Sequence, residues 1–304
     1  MIRLSNGHWF KYMVASGALG FDGRGYWWER PLVWAGLIKP ELFTVVLRTL
    51  TLKPKLYPES NLSWIRPSTW LPWSSRSCVQ FLPDDGVVTK VGLWNPGFEY
   101  WYKKISPTID FQKHPTIISL YGTEQELLVM TERVEYIDYV KAIELNVSCP
   151  NTKHKMDEAL QVITTVKQVR KYLHPNYPLI LKVSVGQDYL GIAQNVAGFV
   201  EAMSLNSVPW KVAFPKDPYG SPVERVGHIN SGGGGVSGRP AQKHNWKAVE
   251  ELARQNAVRV IGPSIMEFED LARLENLGAD AFSFGGIFCG NPCKATAIVE
   301  RDMG

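Results

Sequence analysis

The run Asn146-Val147-Ser148-Cys149-Pro150-Asn151-Thr152 sets a thiol between two amides in a stretch stiffened by proline. A free thiol titrates near ~8.5, so Cys149 can serve as a base or a nucleophile. Amide side chains carry both donors and acceptors and suit a planar ring with imide and carbonyl edges. A buried cysteine beside a turn would look the same. Lys182 interrupts the apolar run LILKVSVG (179–186), where an ammonium must find a partner or leave the interior. Pointing up from the strand, it could stabilise an anionic ring. Asn206-Ser207 offers ligand-binding groups or ordinary turn chemistry. The tract SGGGGVSG (231–238), containing Gly234 and Gly235, and the pair Gly285-Gly286 let backbone N–H groups approach a phosphate closely. Each is also compatible with a plain surface loop. Gly262 closes a strand-like run before them.

These groups need a frame. From residue 115 onward, short β-branched runs alternate with helical stretches. Strands are expected at 115–122, 140–148, 179–186, 202–207, 258–262 and 279–285. Helices are expected at 123–138, 156–173, 188–201, 240–256 and 266–277, with a short one to finish. Two further strands fit at 12–16 and 42–47, giving eight. Alternation implies βαβ units and a parallel sheet, and eight strands imply a closed (β/α)8 barrel. An open doubly wound sheet would advertise a glycine-rich first turn and a following acid, which this chain lacks. In such a barrel the chemistry sits past the C-terminal ends of the strands, and phosphate is held after strands seven and eight. Segment 52–112, rich in Pro, Trp and Ser, breaks the rhythm and reads as an irregular insertion, a lid or an interface.

Composition narrows the class. At 304 residues, 45% hydrophobic and 20% charged, the chain is an ordinary globular protein, expected to form one barrel domain over 1–304. Its net charge of +4 is scattered, with no basic arm for nucleic acid. No run is long and apolar enough for a membrane span, and the N-terminus does not read as a signal peptide, so a cytoplasmic location is expected. Four cysteines form no CxxC pair and no metal site is expected; Cys289 and Cys293 are spaced to share one helical face.

NVSCPNT after a strand, LKVSV, LNS, GGGGVSG and the paired glycines, in that order, resemble dihydroorotate dehydrogenases. ASGALG (15–20), TLTLKPK (49–55) and VGLWNPGFEYW (91–101) extend the resemblance over about residues 12–290. It implies an FMN-binding barrel that oxidises dihydroorotate to orotate in pyrimidine biosynthesis: a base takes a proton from C5 and hydride leaves C6 for flavin N5. Cys149 matches the base of the soluble class. Asn146, Asn151, Asn206 and Ser207 match the groups that hold the pyrimidine. Lys182 matches the lysine beside the flavin ring, and Ala15, Ser16, Gly17 and Thr49 match flavin-contacting loops. Arg48 stands where the soluble class carries Lys, and Thr89 where it carries Asn, both at the ring. Pro263-Ser264 replaces a Gly-Gly pair, and Pro has no N–H to give a phosphate. A homodimer, and a separate electron-accepting subunit, a quinone or fumarate as oxidant, are further implications. The departures keep two alternatives open: a related flavin oxidoreductase for another cyclic amide or carboxylate, and a non-catalytic barrel.

Overall fold

The computed structural model describes residues 1–55, 79–148, 159–227 and 233–304. A short hairpin comes first, β1 (Ile2–Arg3) against β2 (Trp9–Phe10). Eight parallel strands then follow one another round a closed barrel: β3 (Tyr12–Val14), β4 (Thr44–Val46), β7 (Thr116–Leu120), β8 (Ala142–Asn146), β9 (Leu179–Val183), β10 (Ala202–Leu205), β13 (Arg259–Gly262) and β14 (Ala281–Phe284), the last pairing back onto β3. All eight fall where the sequence places them. Helices Glu124–Glu135, Ala159–Tyr172, Tyr189–Val196, Arg239–Gln255, Glu269–Asn276 and Pro292–Met303 alternate with them.

Local chemistry explains the boundaries. The helix after β7 opens on a capping box: the Thr123 hydroxyl accepts from the Glu126 N–H, and the Glu126 carboxylate accepts from the Thr123 N–H at 2.9 Å. The helix over Arg239–Gln255 begins with Pro240 in its first turn and stops at Asn256, whose φ of +53° is a left-handed cap.

Period-two alternation divides the barrel interior by height. Met13, Val46, Ile117, Ala142, Ile180, Ala202, Ile261 and Ala281, one from each strand, form an apolar floor with Ile2, Leu4 and Phe10 of the N-terminal hairpin. The hairpin is therefore a plug in the base. Outward residues of the same strands, such as Val45, Ile118, Leu145, Leu181 and Phe284, belong to a larger core shared with the helices.

Segment 52–112 is more regular than expected where it is described. It holds the hairpin β5 (Val79–Leu82) and β6 (Gly86–Thr89), then helical turns from Phe98 to Thr108. The Gly-rich tract also corrects the sequence picture: Gly235–Ser237 is a strand, β12, not a loop. β12 joins β5, β6 and β11 (Val208–Pro209) in an antiparallel sheet of order β11-β12-β6-β5. Because β11 begins directly after the end of β10, this sheet stands over the C-terminal side of the barrel. Val88, Trp210, Val223 and Val236 form its own small core. The two cysteines expected on one helical face are separated: Cys289 lies in the turn Gly286–Gly290 and Cys293 in the helix Pro292–Met303, with Asn291 in extended backbone between them. The final helix is also longer than the short one expected.

Phe10 is 5% exposed and fills the floor. Phe10→Ala should destabilise the protein by about 3 kcal/mol in urea unfolding. A loss below about 1 kcal/mol would show that the hairpin is a loose cover rather than part of the core.

Candidate active site

Two residues above the apolar floor, the inward positions turn polar. Ser119, Glu144, Lys182, Ser204 and Ser283 are all buried there. Glu144, with no exposed surface, is the centre. Ser119 Oγ donates to its Oε1 at 2.7 Å, Ser204 Oγ to its Oε2 at 3.4 Å, and Lys182 Nζ lies 3.5 Å from Oε1. Register explains the meeting: Lys182 of β9 is directly beside Asn146 of β8 and Ser204 of β10. The 3.5 Å contact is the one polar contact of Lys182 among the described residues, so a 4% exposed ammonium keeps most of its donor capacity unspent.

The network climbs from Glu144 toward the mouth. Ser119 Oγ lies 2.9 Å from Thr49 Oγ1, and Asn146 Nδ2 donates to Thr49 Oγ1 at 2.9 Å. Ser16 Oγ, 3.0 Å from the same hydroxyl, also donates to the Leu47 carbonyl. Asn146 Oδ1 accepts from Ser148 Oγ at 2.7 Å, and the Ser148 carbonyl accepts from Asn206 Nδ2 at 3.5 Å. Ser16, Thr49, Asn146, Lys182 and Asn206, five positions singled out in the sequence, thus share one hydrogen-bonded cluster. Cys149 and Asn151 lie outside the described residues, directly beyond Ser148.

Arg48 is held apart from this cluster. Its guanidinium lies over the rings of Phe21 and Trp94, 5.5 and 5.7 Å from their centroids, and Nη1 donates to the Tyr26 hydroxyl at 3.0 Å. Tyr26 in turn donates to the Gly17 carbonyl at 2.7 Å. Arg48 has no acidic partner among the described residues. Thr89, Gly234, Gly235 and Ser207 gather instead in the small sheet. Gly235 pairs with Thr89, and a Cβ on Gly235 would stand 2.1 Å from Ser207 Oγ, so only glycine fits there. A Cβ on Gly234 would meet the Thr89 carbonyl at 2.8 Å.

At the ends of the last two strands, a Cβ on Gly286 would stand 2.8 Å from the Gly238 nitrogen, so two backbones touch. Gly285 lies against Ala15, whose N–H continues the ladder to the Phe284 carbonyl. Gly262 turns its α-carbon outward: a Cβ there would meet Leu274 and Ala279 at 2.9 and 3.0 Å. Its bare face serves strand–helix packing. Ser264 takes a left-handed backbone, φ +67°, and is fixed by helix Arg239–Gln255: Asn245 Nδ2 donates to its hydroxyl, Gln242 Nε2 to its carbonyl, and Trp246 Nε1 to the Pro263 carbonyl. Asn245 Oδ1 is buried without a hydrogen-bond partner. No group of three or more His, Cys, Asp or Glu is placed to hold a metal among the described residues, and no described helix is long and apolar enough to cross a membrane.

The family model for dihydroorotate dehydrogenase matches residues 78–292, well over half of the chain. This chain belongs to the dihydroorotate dehydrogenase family. It is an oxidoreductase of that family, and its relatives agree. A Bacteroides fragilis protein named dihydroorotate dehydrogenase B (NAD(+)), catalytic subunit, is 30% identical over 222 residues, covering 71% of both chains. Proteins of the same name from Desulforudis audaxviator and Thermodesulfovibrio yellowstonii are each 28% identical. The first alignment covers 94% of this chain and 85% of the relative, the second 71% of each. Glu144, Ser119 and Ser204 are buried polar residues below the strand ends that no sequence motif marks. The available signal was an acid inside the buried run AIELN, two positions before Asn146.

One more buried acid bears on the mouth. Glu29 is 2% exposed, and burial pushes its carboxyl from the usual 4.5 to about 7, against the pull of the Tyr26 N–H that it accepts. A raised carboxyl favours folding in its protonated form. That contribution is complete below pH 4.5 and is lost as pH rises through about 7. Glu29→Gln should flatten this part of the stability–pH curve and leave the variant more stable than the parent at pH 8, by on the order of 3 kcal/mol at most. Parallel urea titrations at pH 5 and pH 8 check it; identical slopes in both proteins would remove Glu29 as the cause.

Proposed function

We propose that the chain works as a single FMN-binding barrel over 1–304 that oxidises dihydroorotate to orotate, with Cys149 as the base. The observation that carries the proposal is the hydrogen-bonded convergence of Ser16, Thr49, Asn146 and Lys182 at the C-terminal end of the barrel, immediately below the chain that leads to Cys149.

The residues present fit FMN. Lys182 is a buried cation whose donors are largely unspent, which suits the ring edge of a flavin that gathers negative charge. The Gly286–Gly238 contact brings backbone N–H groups close enough for a phosphate. Pro263 supplies no N–H there, while the Pro263-Ser264 turn, held by Trp246 at Pro263 and by Asn245 and Gln242 at Ser264, is fixed in compensation. Bound FMN supplies the acceptor for the electron pair. Ala15, Ser16, Gly17, Thr49, Gly285 and Gly286 would hold it.

The chain's own residues do the rest. Asn146 and Asn206, tied together through Ser148, would hold the amide edges of the pyrimidine, joined by Asn151 and Ser207. Arg48, clamped and lacking an acidic partner, would take the substrate's carboxylate, and its forked guanidinium imposes a stricter geometry than a lysine. The thiolate of Cys149 would take the C5 proton. The relatives' designation as catalytic subunits supports a separate electron-transfer subunit as the route for electrons out of the flavin. Arg48 and Thr89 also favour a second reading, in which the substrate is another carboxylated cyclic amide.

Anaerobic mixing of FMN-loaded protein with dihydroorotate should bleach the flavin absorbance within a turnover. Cys149→Ala should keep the flavin and lower the rate of bleaching by at least ~100-fold, the scale of a lost general base. Cys149→Ser should retain a small activity that rises with pH. Full activity in the Ala variant removes Cys149 from the mechanism, and an unbleached flavin in the parent chain points to the second reading.

A further inference from the structure

We infer that Glu144 is a positioning residue that acts on the site in two ways: it is the buried counter-ion of Lys182, and it fixes which way the Asn146 amide faces. The consequence for substrate binding rests on the functional reading above; the hydrogen-bond argument does not.

The argument begins with direction. An ionised carboxylate accepts hydrogen bonds and donates none. Ser119, 2.7 Å from Oε1, must therefore give its one hydrogen to Glu144. Its oxygen is then left to accept. Thr49 has one hydrogen and two hydroxyl neighbours, Ser119 at 2.9 Å and Ser16 at 3.0 Å; in the proposed chain it gives that hydrogen to Ser119, while Ser16 donates to the Leu47 carbonyl. Thr49, having donated downward, accepts from above, and what it accepts is an N–H of Asn146 at 2.9 Å. That contact puts the Asn146 nitrogen on the Thr49 side and its oxygen on the Ser148 side, where it accepts from Ser148 Oγ and from the Ser148 N–H. Three hydrogen bonds thus pass the charge of one acid to the amide of a ring-binding residue. One N–H of Asn146 remains without a partner among the described residues and is presented to a ligand as a donor. Were the group at position 144 able to donate, Ser119 and Thr49 could turn round, and the amide would be held in its orientation from the Ser148 side alone, by the Ser148 N–H at 3.3 Å and the Ser148 hydroxyl.

The same acid faces Lys182. Ser119, Ser204 and Lys182 are its polar partners from the three strands β7, β10 and β9, and Glu144 itself sits on β8, so among the described residues the ammonium is the one charged group against it. Glu144 thereby offsets the positive charge that Lys182 brings beneath the mouth.

Two substitutions separate the two roles. Ser119→Ala breaks the chain between Thr49 and Glu144 but leaves the Lys182 pair intact. Glu144→Gln removes the charge and frees the chain. Each is prepared with FMN bound. The orotate dissociation constant is read from the perturbation of the flavin spectrum, and the FMN midpoint potential from a dye-coupled titration. Both variants should weaken orotate binding about ten-fold and raise KM for dihydroorotate more than they lower kcat. Only Glu144→Gln should raise the midpoint potential, because only there is Lys182 left uncompensated; a ten-fold shift in the redox equilibrium corresponds to roughly 30 mV for this two-electron couple. If Glu144→Gln fails to fold, Ser119→Ala still decides the amide role. A Ser119→Ala protein with unchanged orotate affinity overturns that role, and equal midpoint potentials overturn the counter-ion role. Should the parent protein fail to bind orotate, the functional reading falls, and the potentials alone decide whether Glu144 compensates Lys182.

Discussion

A carboxylate without access to water sits in the middle of this barrel, and the polar half of the interior is arranged around it. Taking an isolated ionised group out of water costs several kcal/mol, and leaving one member of a buried pair alone costs roughly 3–5 kcal/mol. Glu144 is tolerable because a cation and two hydroxyls, each from a different strand, reach it. Those strands can deliver them only in one register, since a slip by one residue would turn every inward side chain outward. The electrostatic requirement and the strand pairing therefore specify each other. The hydroxyls and amides above the acid inherit their orientation from it, which makes the site's geometry a property of the barrel as much as of its loops.

The interior has a gradient from dry to polar. Its floor is closed by eight apolar side chains, one from each strand, and a hairpin plug. The polar layer follows two residues further along five of the strands, at Ser119, Glu144, Lys182, Ser204 and Ser283, and the small antiparallel sheet stands over the exit. That sheet draws on two distant parts of the chain, 79–89 and 208–237, and is joined where Gly235 pairs with Thr89. It thereby ties a segment between the second and third barrel strands to one between the sixth and seventh. Arg48 occupies a separate niche, over the rings of Phe21 and Trp94 and braced by a tyrosine, so its charge is fixed in place and meets no acid among the described residues.

The sequence made the barrel legible because most strands are short apolar or β-branched runs, and because helix starts such as Thr123-Glu124-Gln125-Glu126 carry their own caps. It made Asn146, Lys182, Thr49 and Ser16 legible through family motifs, and the structure brings them together. Other features depended on distant partners. Gly235 read as backbone free to approach a phosphate, or as plain loop, because nothing nearby shows that Thr89 would pair with it. Gly262 was visible as the glycine that closes a strand, but the direction of its bare face is set by Leu274 of the helix that follows it. Glu144 went unnoticed because an acid within an apolar strand is meaningful only once Lys182 and Ser119 are known to be opposite it. The cysteines at 289 and 293 were spaced for one helix, but Asn291 breaks the backbone between them.

The closure of the ring has a consequence for how the chain is made. The first barrel strand, Tyr12–Val14, has β14 as one of its two neighbours, and Lys11 and Tyr12 both bind Asp302 of the final helix. During synthesis this strand and its β4 neighbour emerge long before β14 or the final helix exists. Through most of translation its edge stays open beside the apolar floor that it will later seal. A nascent chain in that state is a C-shaped sheet with two unpaired borders, and a second such chain can supply the missing neighbour as readily as its own tail. Crowded polysomes, rather than any weakness of the finished fold, are then the point at which this protein is most exposed to intermolecular mispairing.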